Sequence, residues 1–272
     1  MNKYYLISGA STGIGRALSE DLAKQGHHVF ATAPTDEELQ TLVGLSDRIT
    51  PLLLDIRSEE HITQLRESVL KHTDHLDGLI NNAGVGLGGP VELLDVDGIR
   101  DSFNINVFGH IKMTQTLLPL IRKSKHGRIV FTGSSAGLFV LPLTSAYSAS
   151  KFALRAFCDA LRVELKPSNI RVSLIQPGSI QTPIWSKGPF DEVEKHADVE
   201  RYHSAILNGK KMIAQGAKNA ISVNRVTKVM NHALFSKYPR ARYVVGFDGW
   251  VAFVARFVPA FIMDRICVRL LI

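Results

Sequence analysis

Tyr147 and Lys151, in Tyr147-Ser148-Ala149-Ser150-Lys151, set a phenol and an ammonium four residues apart, the spacing that puts two side chains on one helix face. Such a pair can move a proton. A free tyrosine titrates near pH ~10 and is a sluggish acid or base at neutrality, whereas a cation held beside it stabilises the phenolate. Lowering its pKa by roughly three units would correspond to about 4 kcal/mol. Taken alone the pattern is weak, because a Tyr followed four residues later by a Lys also occurs on many exposed helices.

The N-terminus supplies the elements such a pair needs. Tyr4-Tyr5-Leu6-Ile7 is a short apolar, β-favouring run that leads into Ser8-Gly9-Ala10-Ser11-Thr12-Gly13-Ile14-Gly15, and Arg16 to Ala23 follow with helical periodicity. This predicts strand, glycine turn and helix. Glycines at 9, 13 and 15 allow a tight turn and close approach of a ligand, and the free N–H groups opening the helix favour a pyrophosphate. The spacing is Gly-x-x-x-Gly-x-Gly rather than the general Gly-x-Gly-x-x-Gly dinucleotide fingerprint.

With Asn81-Asn82-Ala83-Gly84 between these two motifs, the chain resembles the short-chain dehydrogenase/reductase family, in its compact single-domain branch, over residues 3 to 185. Asp55 after Leu52-Leu53-Leu54, Asn106 in Asn104-Ile105-Asn106, Ser134 in Gly133-Ser134-Ser135, and Pro177-Gly178 followed by Thr182 extend the likeness. The resemblance implies an α/β fold: a doubly wound parallel sheet (Rossmann) in one domain over 1–272. Within it, a substrate lid would span 183–225 and an apolar C-terminal tail 247–272. Seven strand-like runs alternating with helical stretches predict the same sheet: Tyr4–Ser8, His28–Thr32, Ile49–Leu54, Leu79–Asn81, Ile129–Thr132, Val172–Ile175 and Tyr243–Val245. Thr35 with Glu38 forms a candidate capping box, and Ser58 before Glu59-Glu60 suits a helix start.

Roles follow from the chemistry of a carbonyl that gains hydride on carbon, and charge on oxygen, as it is reduced. Tyr147 is the expected general acid in reduction and base in oxidation, and Ser134, at the end of a strand, points a hydroxyl at the same oxygen. Ser135 is the alternative, as a turn or capping hydroxyl. By resemblance Lys151 also binds the nicotinamide ribose, and Asn106 supports a proton relay from Lys151 or braces a kinked helix. The resemblance further implies a cofactor cradle of Gly9, Ser11, Thr12, Gly13, Ile14 and Gly15. Asp55 and Ile56 would meet the adenine, and Asn82, Ala83 and Gly84 the sheet edge beneath the cofactor. Pro177, Gly178, Ile180 and Thr182 would follow the last contact strand, with Thr182 at the carboxamide. A carboxylate at the end of the second strand would select NAD. Thr32-Ala33-Pro34-Thr35 has none there, which favours NADP, although no basic residue stands there either.

Substrate positions are apolar: Leu87, Phe139, Leu141, Leu143, Trp185 and Phe190 point to a lipophilic alcohol or carbonyl compound, or else to core packing. The formal charge of +7 is dispersed among acids and lacks interleaved aromatics, so no nucleic-acid partner is expected. Cys158 and Cys267 are the only cysteines and lack metal-ligand spacing, and His72 and His75 beside Asp74 and Asp77 read as a solvated helix end, so no metal is expected. Met1-Asn2-Lys3 runs straight into the first strand, leaving no room for a targeting segment, and a cytoplasmic enzyme is expected. The stretch Trp250 to Met263 is apolar but broken by Arg256 and too short to span a bilayer. It either covers the substrate pocket, packs in a homodimer or homotetramer, or touches a membrane surface with snorkelling arginines. A non-redox enzyme of related fold and a cofactor-sensing binding protein are the competing functions.

Overall fold

A computed structural model describes residues 2–185, 189–191 and 193–271. Seven strands, β1 (Tyr4–Ile7), β2 (His28–Ala33), β3 (Ile49–Leu53), β4 (Gly78–Asn81), β5 (Arg128–Thr132), β6 (Arg171–Pro177) and β7 (Arg242–Val245), form one sheet. Their order is β3-β2-β1-β4-β5-β6-β7 and every pairing is parallel. All seven predicted runs are strands, with ends displaced by a residue or two. Between them lie α1 (Gly13–Lys24), α2 (Asp36–Gln40), α3 (Glu59–Leu70), α4 (Val96–Phe103), α5 (Gly109–Arg122), α6 (Ser145–Glu164), α7 (His203–Lys218) and α8 (Val223–Phe235). After β7 the chain closes with α9 (Phe247–Ala255) and α10 (Ala260–Leu271).

The period-2 alternation of the strands divides the core. Leu6, Leu79, Ile129, Phe131 and Leu174 face one way, onto α3, α5 and α6, while Tyr5, Ile7, Ile80, Val130 and Ile175 face the other, onto α1 and α8. Both faces are covered, as a parallel sheet requires. Thr35 Oγ1 accepts from the Glu38 N–H at 3.2 Å and Ser58 Oγ from the His61 N–H at 3.1 Å, so both predicted helix starts are capped. Sheet order reverses between β1 and β4, which places the ligand crevice at the carboxyl ends of those strands.

A smaller cluster lies over that end of the sheet. Leu143, Phe190, Val193, Ala205 and Ile206 pack with Leu93 and Leu94, joining the segment after β6 to the loop after β4 and the start of α6. Leu143 holds φ 66, a left-handed conformation that costs a non-glycine residue about 1–2 kcal/mol. Its carbonyl accepts from the Gly89 N–H at 2.8 Å, which anchors the turn entering α6. The tail packs through a narrow stripe: α10 rests on α7 with Cys267 buried, while Phe247, Trp250, Phe257 and Phe261 remain more than half exposed. No helix among the described residues is long and apolar enough to cross a membrane. Cys158 is a buried free thiol, pushed up to about 12 by desolvation.

Candidate active site

The glycine turn leaves β1 and is tied to its neighbours on both sides. Ala10 N–H donates to the Thr32 carbonyl of β2 at 2.7 Å, and Asn82 Nδ2 donates to the carbonyls of Ser8 and Gly9 at 3.1 and 3.0 Å. Gly9 takes φ +63, and a Cβ there would stand 2.8 Å from the Ala83 Cα. At Gly15 a Cβ would lie 2.3 Å from the Gly9 carbonyl oxygen, so only glycine lets α1 start this close to the turn. Thr12 is the N-cap of α1 yet makes no side-chain cap bond, which leaves the first N–H groups of the helix facing the turn. A cradle built of backbone N–H groups, with no room for side chains, fits the pyrophosphate of a dinucleotide. Ile14 packs beneath it against the α1 and α8 side of the core.

The remaining residues expected at the cofactor lie about the carboxyl ends of the strands. Thr182 lies against the turn, its Cγ2 3.0 Å from where a Gly13 Cβ would be, and its N–H donates to the Ile180 carbonyl at 2.7 Å. Ile180 bridges to Ile221, and Gly178, just past Pro177 at the end of β6, donates to the Val245 carbonyl at 2.9 Å. The Ile56 side chain is buried in the core beside α5. The Asp55 carboxylate is held by Arg57 at 2.8 Å, and this hydrogen bond keeps its pKa below the ordinary carboxylate range. Arg57 also reaches Asp101 of α4 at 3.0 Å, a link the sequence did not suggest.

Ser134, Tyr147, Lys151 and Asn106 meet at the carboxyl end of β5. Tyr147 sits in the first turn of α6, 5% exposed, and its hydroxyl is hydrogen-bonded to Ser134. Ser134 Oγ also accepts from the Ala136 N–H at 3.1 Å, so Ser134 itself caps the 3-10 turn Ser135–Gly137, the kind of role the sequence offered to Ser135. One helical turn after Tyr147, the buried Lys151 donates from Nζ to the Thr132 carbonyl at 3.1 Å, with the ammonium 5.6 Å from the Tyr147 ring centroid. Desolvation lowers Lys151 to about 8. Burial raises Tyr147, opposed by the Ser134 hydrogen bond, which departs from the expectation that the cation would bring it down. The physical reason is shared burial: each group loses the water that stabilised its charged form.

Asn106 occupies a π-helical turn, Asn104–Phe108, that joins α4 to α5. The wider turn lets its side chain accept from the Val85 N–H at 2.9 Å and donate to the Val85 carbonyl and Ser150 Oγ at 3.0 and 3.1 Å. Bracing is therefore one of its roles. Gly84 separates it from Lys151: a Cβ there would be 3.1 Å from Asn106 Oδ1 and 3.5 Å from Lys151 Nζ. Sequence reasoning missed His110, fully buried on α5, whose Nε2 bonds the Ala83 carbonyl at 2.8 Å. Desolvation and the nearby Lys151 lower its pKa to about 3, so it stands neutral beside the site. It also missed Asp248 of α9, which accepts from the Ser179 N–H and ties the tail to the loop after β6. Of the substrate positions, Leu141 is half-buried in the turn before α6, and its carbonyl accepts from Thr144. Trp185 ends a 3-10 turn, Pro183–Trp185, and its side chain falls outside the described residues. No metal-ligating cluster occurs among the described residues.

Known proteins resemble this chain in sequence and in fold. The family model for short chain dehydrogenases matches residues 3–192, which contain the glycine turn and the whole Ser134, Tyr147 and Lys151 group. Over 270 residues the chain is 36% identical to an uncharacterized oxidoreductase, YbbO, of Escherichia coli (strain K12), covering 98% of this chain and 94% of that protein. It is 33% identical over 282 residues to the 17-beta-hydroxysteroid dehydrogenase type 6 of Bos taurus, covering 98% and 88%. A solved short-chain dehydrogenase from Streptomyces avermitilis has a TM-score of 0.79 at 27% identity, with 99% of this chain and 95% of that chain covered. Sequence match, sheet order and the grouping of buried polar side chains agree, and the chain belongs to the short chain dehydrogenase family.

Proposed function

We propose that Tyr147 Oη moves the proton as this oxidoreductase interconverts a lipophilic alcohol and the corresponding ketone or aldehyde. The observation that carries the reading is the grouping of half-buried Ser134 with buried Tyr147 and Lys151, joined to the glycine turn by Asn82, whose Oδ1 accepts from Thr132 Oγ1 at 3.1 Å. When bound, the nicotinamide dinucleotide supplies or takes the hydride. In reduction Tyr147 Oη, protonated at neutral pH because burial raises its pKa, gives its proton to the carbonyl oxygen. The Ser134 hydroxyl, already bonded to Tyr147, is the second donor for that oxygen. Lys151 brings positive charge within reach of the phenol, and the apolar cluster of Leu143, Phe190 and Ile206 keeps water from the site. Segment 183–225 acts as the substrate lid, and residues 186–188 and 192 of it lie outside the described residues. Purified protein incubated with reduced cofactor and a panel of steroids, retinal and long-chain aldehydes is expected to consume the nicotinamide absorbance. Tight cofactor binding with no turnover on any of them would turn the reading towards a non-redox reaction or a sensor.

The form of the dinucleotide turns on the charges beside Ser11. The bare end of β2 favours NADP. Against it stands Glu38 of α2, whose Oε2 accepts from Ser11 Oγ at 2.6 Å, so a carboxylate reaches the turn five residues later than the strand end. Arg16, the cation that touches the turn, is held by Glu20 at 3.0 Å and by backbone carbonyls. The local balance favours a ribose hydroxyl over a phosphate, hence NAD. Glu38→Gln is expected to lower the ratio of the NADP to the NAD dissociation constant by about tenfold or more, since removing a like charge relieves a repulsion. An unchanged ratio would remove Glu38 from the selection.

Two exposed surfaces support association. Phe108, Phe152, Phe157 and Val163 lie open around α5 and α6 and suit a homodimer or homotetramer built from helix faces. The stripe Phe247, Trp250, Val251 and Val254 on α9, with Arg256 beside it, suits peripheral contact with an anionic membrane surface.

A further inference from the structure

The first turn of α9 reaches back to the loop that follows β6. Asp248, the second residue of α9, accepts at Oδ2 from the Ser179 N–H and at Oδ1 from the Gly249 N–H at 3.0 Å. Two glycines make room for the carboxylate. A Cβ at Gly178 would stand 2.6 Å from Asp248 Oδ2 and closer still to Cγ and Oδ1, and one at Gly246, where φ is +93, would stand 3.0 Å from Oδ1. Only hydrogen at these positions lets the acid lie against the loop backbone. An acid in the first turn of a helix also suits the helix dipole. That role accounts for the Gly249 bond, but not for the Ser179 bond or for the missing side chain at 178.

The far end of the same loop rests on the dinucleotide turn. A Cβ at Gly13 would meet Thr182 Cγ2 at 3.0 Å and Pro183 Cδ at 3.9 Å, so the stretch from Gly178 to Pro183 is fixed by Asp248 at one end and lies against the start of α1 at the other. In between it is tied to the segment before α8. The Ile221 N–H donates to the Ser179 carbonyl at 3.1 Å and the Gln181 N–H to the Ile221 carbonyl at 3.2 Å. The two sides of Ser179 are therefore held by different elements, its N–H by α9 and its carbonyl by the approach to α8. Three residues separate Ser179 from Thr182, which leaves little slack, and a shift of the Ser179 peptide is passed on to Thr182.

We propose that Asp248 is a positioning residue for the dinucleotide site: it holds the Gly178–Ser179 backbone so that Thr182 stands against the glycine turn in the conformation that binds the cofactor. The assignment rests on the reading of Gly178 to Thr182 as the nicotinamide side of that site. Without the carboxylate the loop divides its time among other conformations, and the apparent dissociation constant rises by the inverse of the fraction still competent to bind. Loss of a charge-assisted hydrogen bond leaves about a tenth of the loop competent, or less. The tail thus contributes to cofactor affinity from beyond the last strand, without touching the reacting atoms.

The test is fluorescence titration of the full chain with NADH and NADPH, together with hydrogen exchange at the Ser179 amide and steady-state kinetics. Asp248→Ala is expected to raise the dissociation constant of the tighter dinucleotide about tenfold or more and to speed Ser179 exchange, while kcat at saturating dinucleotide stays within about threefold of wild type. Asp248→Asn keeps an acceptor oxygen for the Ser179 N–H and is expected to recover most of the affinity. Gly178→Ala displaces the carboxylate from the other side. It is expected to weaken binding by a similar factor in the wild type and by no more than about twofold in Asp248→Ala, and it keeps the test decisive if Asp248→Ala folds poorly. A dissociation constant for Asp248→Ala within about twofold of wild type, Asp248→Asn no better than Asp248→Ala, or full additivity of the two substitutions would overturn the assignment. Binding is read without turnover, so a protein that held the dinucleotide but converted no alcohol or carbonyl compound would sink the reaction proposed above and leave this test intact.

Discussion

Tyr147→Phe is expected to reduce kcat by about 10²–10⁴-fold, the contribution of a positioned general acid or base, while leaving the dissociation constant of the dinucleotide within twofold or so of the wild-type value. The variant keeps the ring and removes only Oη. Ser134 retains the Ala136 N–H as a partner, so no buried group is stranded and the fold is expected to hold. The pH profile adds a second check. Because burial raises the Tyr147 pKa, the protonated form persists through neutrality, and carbonyl reduction is expected to be flat there and to fall only on the alkaline side. Alcohol oxidation needs the phenolate and is expected to rise with pH. Stopped-flow turnover in both directions, with cofactor binding followed by fluorescence, measures all of this. A variant that turned over at the wild-type rate would remove Tyr147 from the chemistry.

Lys151→Met is expected to abolish most activity and yet stabilise the protein. The lysine is 3% exposed, and desolvation brings its pKa from 10.5 to about 8. Below pH ~8 the ammonium is charged in both the folded and unfolded chains, and its burial is opposed by about 3 kcal/mol. Between pH ~8 and ~10.5 the unfolded chain holds a proton that the folded one has released, so this opposition fades and wild-type stability rises with pH. Methionine of similar length carries no charge to bury, but leaves the Thr132 carbonyl without its 3.1 Å partner, a loss of about 1 kcal/mol. The net expectation is a gain of about 2 kcal/mol at pH ~7 that disappears above pH ~10.5. Urea denaturation of both proteins across that range reads it directly. A variant less stable than wild type at neutral pH would mean that the Thr132 contact outweighs desolvation. The implied trade is of stability for a cation placed beside the phenol.

Much of this was legible in the residues because the signals are local. A strand of period 2, a glycine turn and an amphipathic helix are each specified by neighbours in the chain, so Tyr4 to Ala23 reads directly as strand, turn and helix. The same holds for Thr35 and Ser58, whose caps lie three residues from the N–H groups they accept. Tyr147 and Lys151 share a helix face by spacing alone. Contacts between distant segments had no such signature. Glu38 was visible as half of a capping box, and only folding showed its carboxylate at Ser11, 27 residues away. Arg57 to Asp101, His110 to Ala83 and Asp248 to Ser179 are likewise pairings of surfaces that no local periodicity encodes.

The sequence by itself determined the parallel α/β architecture, the glycine turn after β1 and the shared helix face of Tyr147 and Lys151, because chain-neighbour sterics and side-chain spacing act before any tertiary contact forms. Only the tertiary structure decided the states of those residues. Whether Tyr147 sits above or below its ordinary pKa, and whether Lys151 pairs with the phenol or with the Thr132 carbonyl, depend on how much water each group keeps. Water exclusion is set by which helices close over which strands, and that is a property of the packed molecule rather than of any stretch of chain.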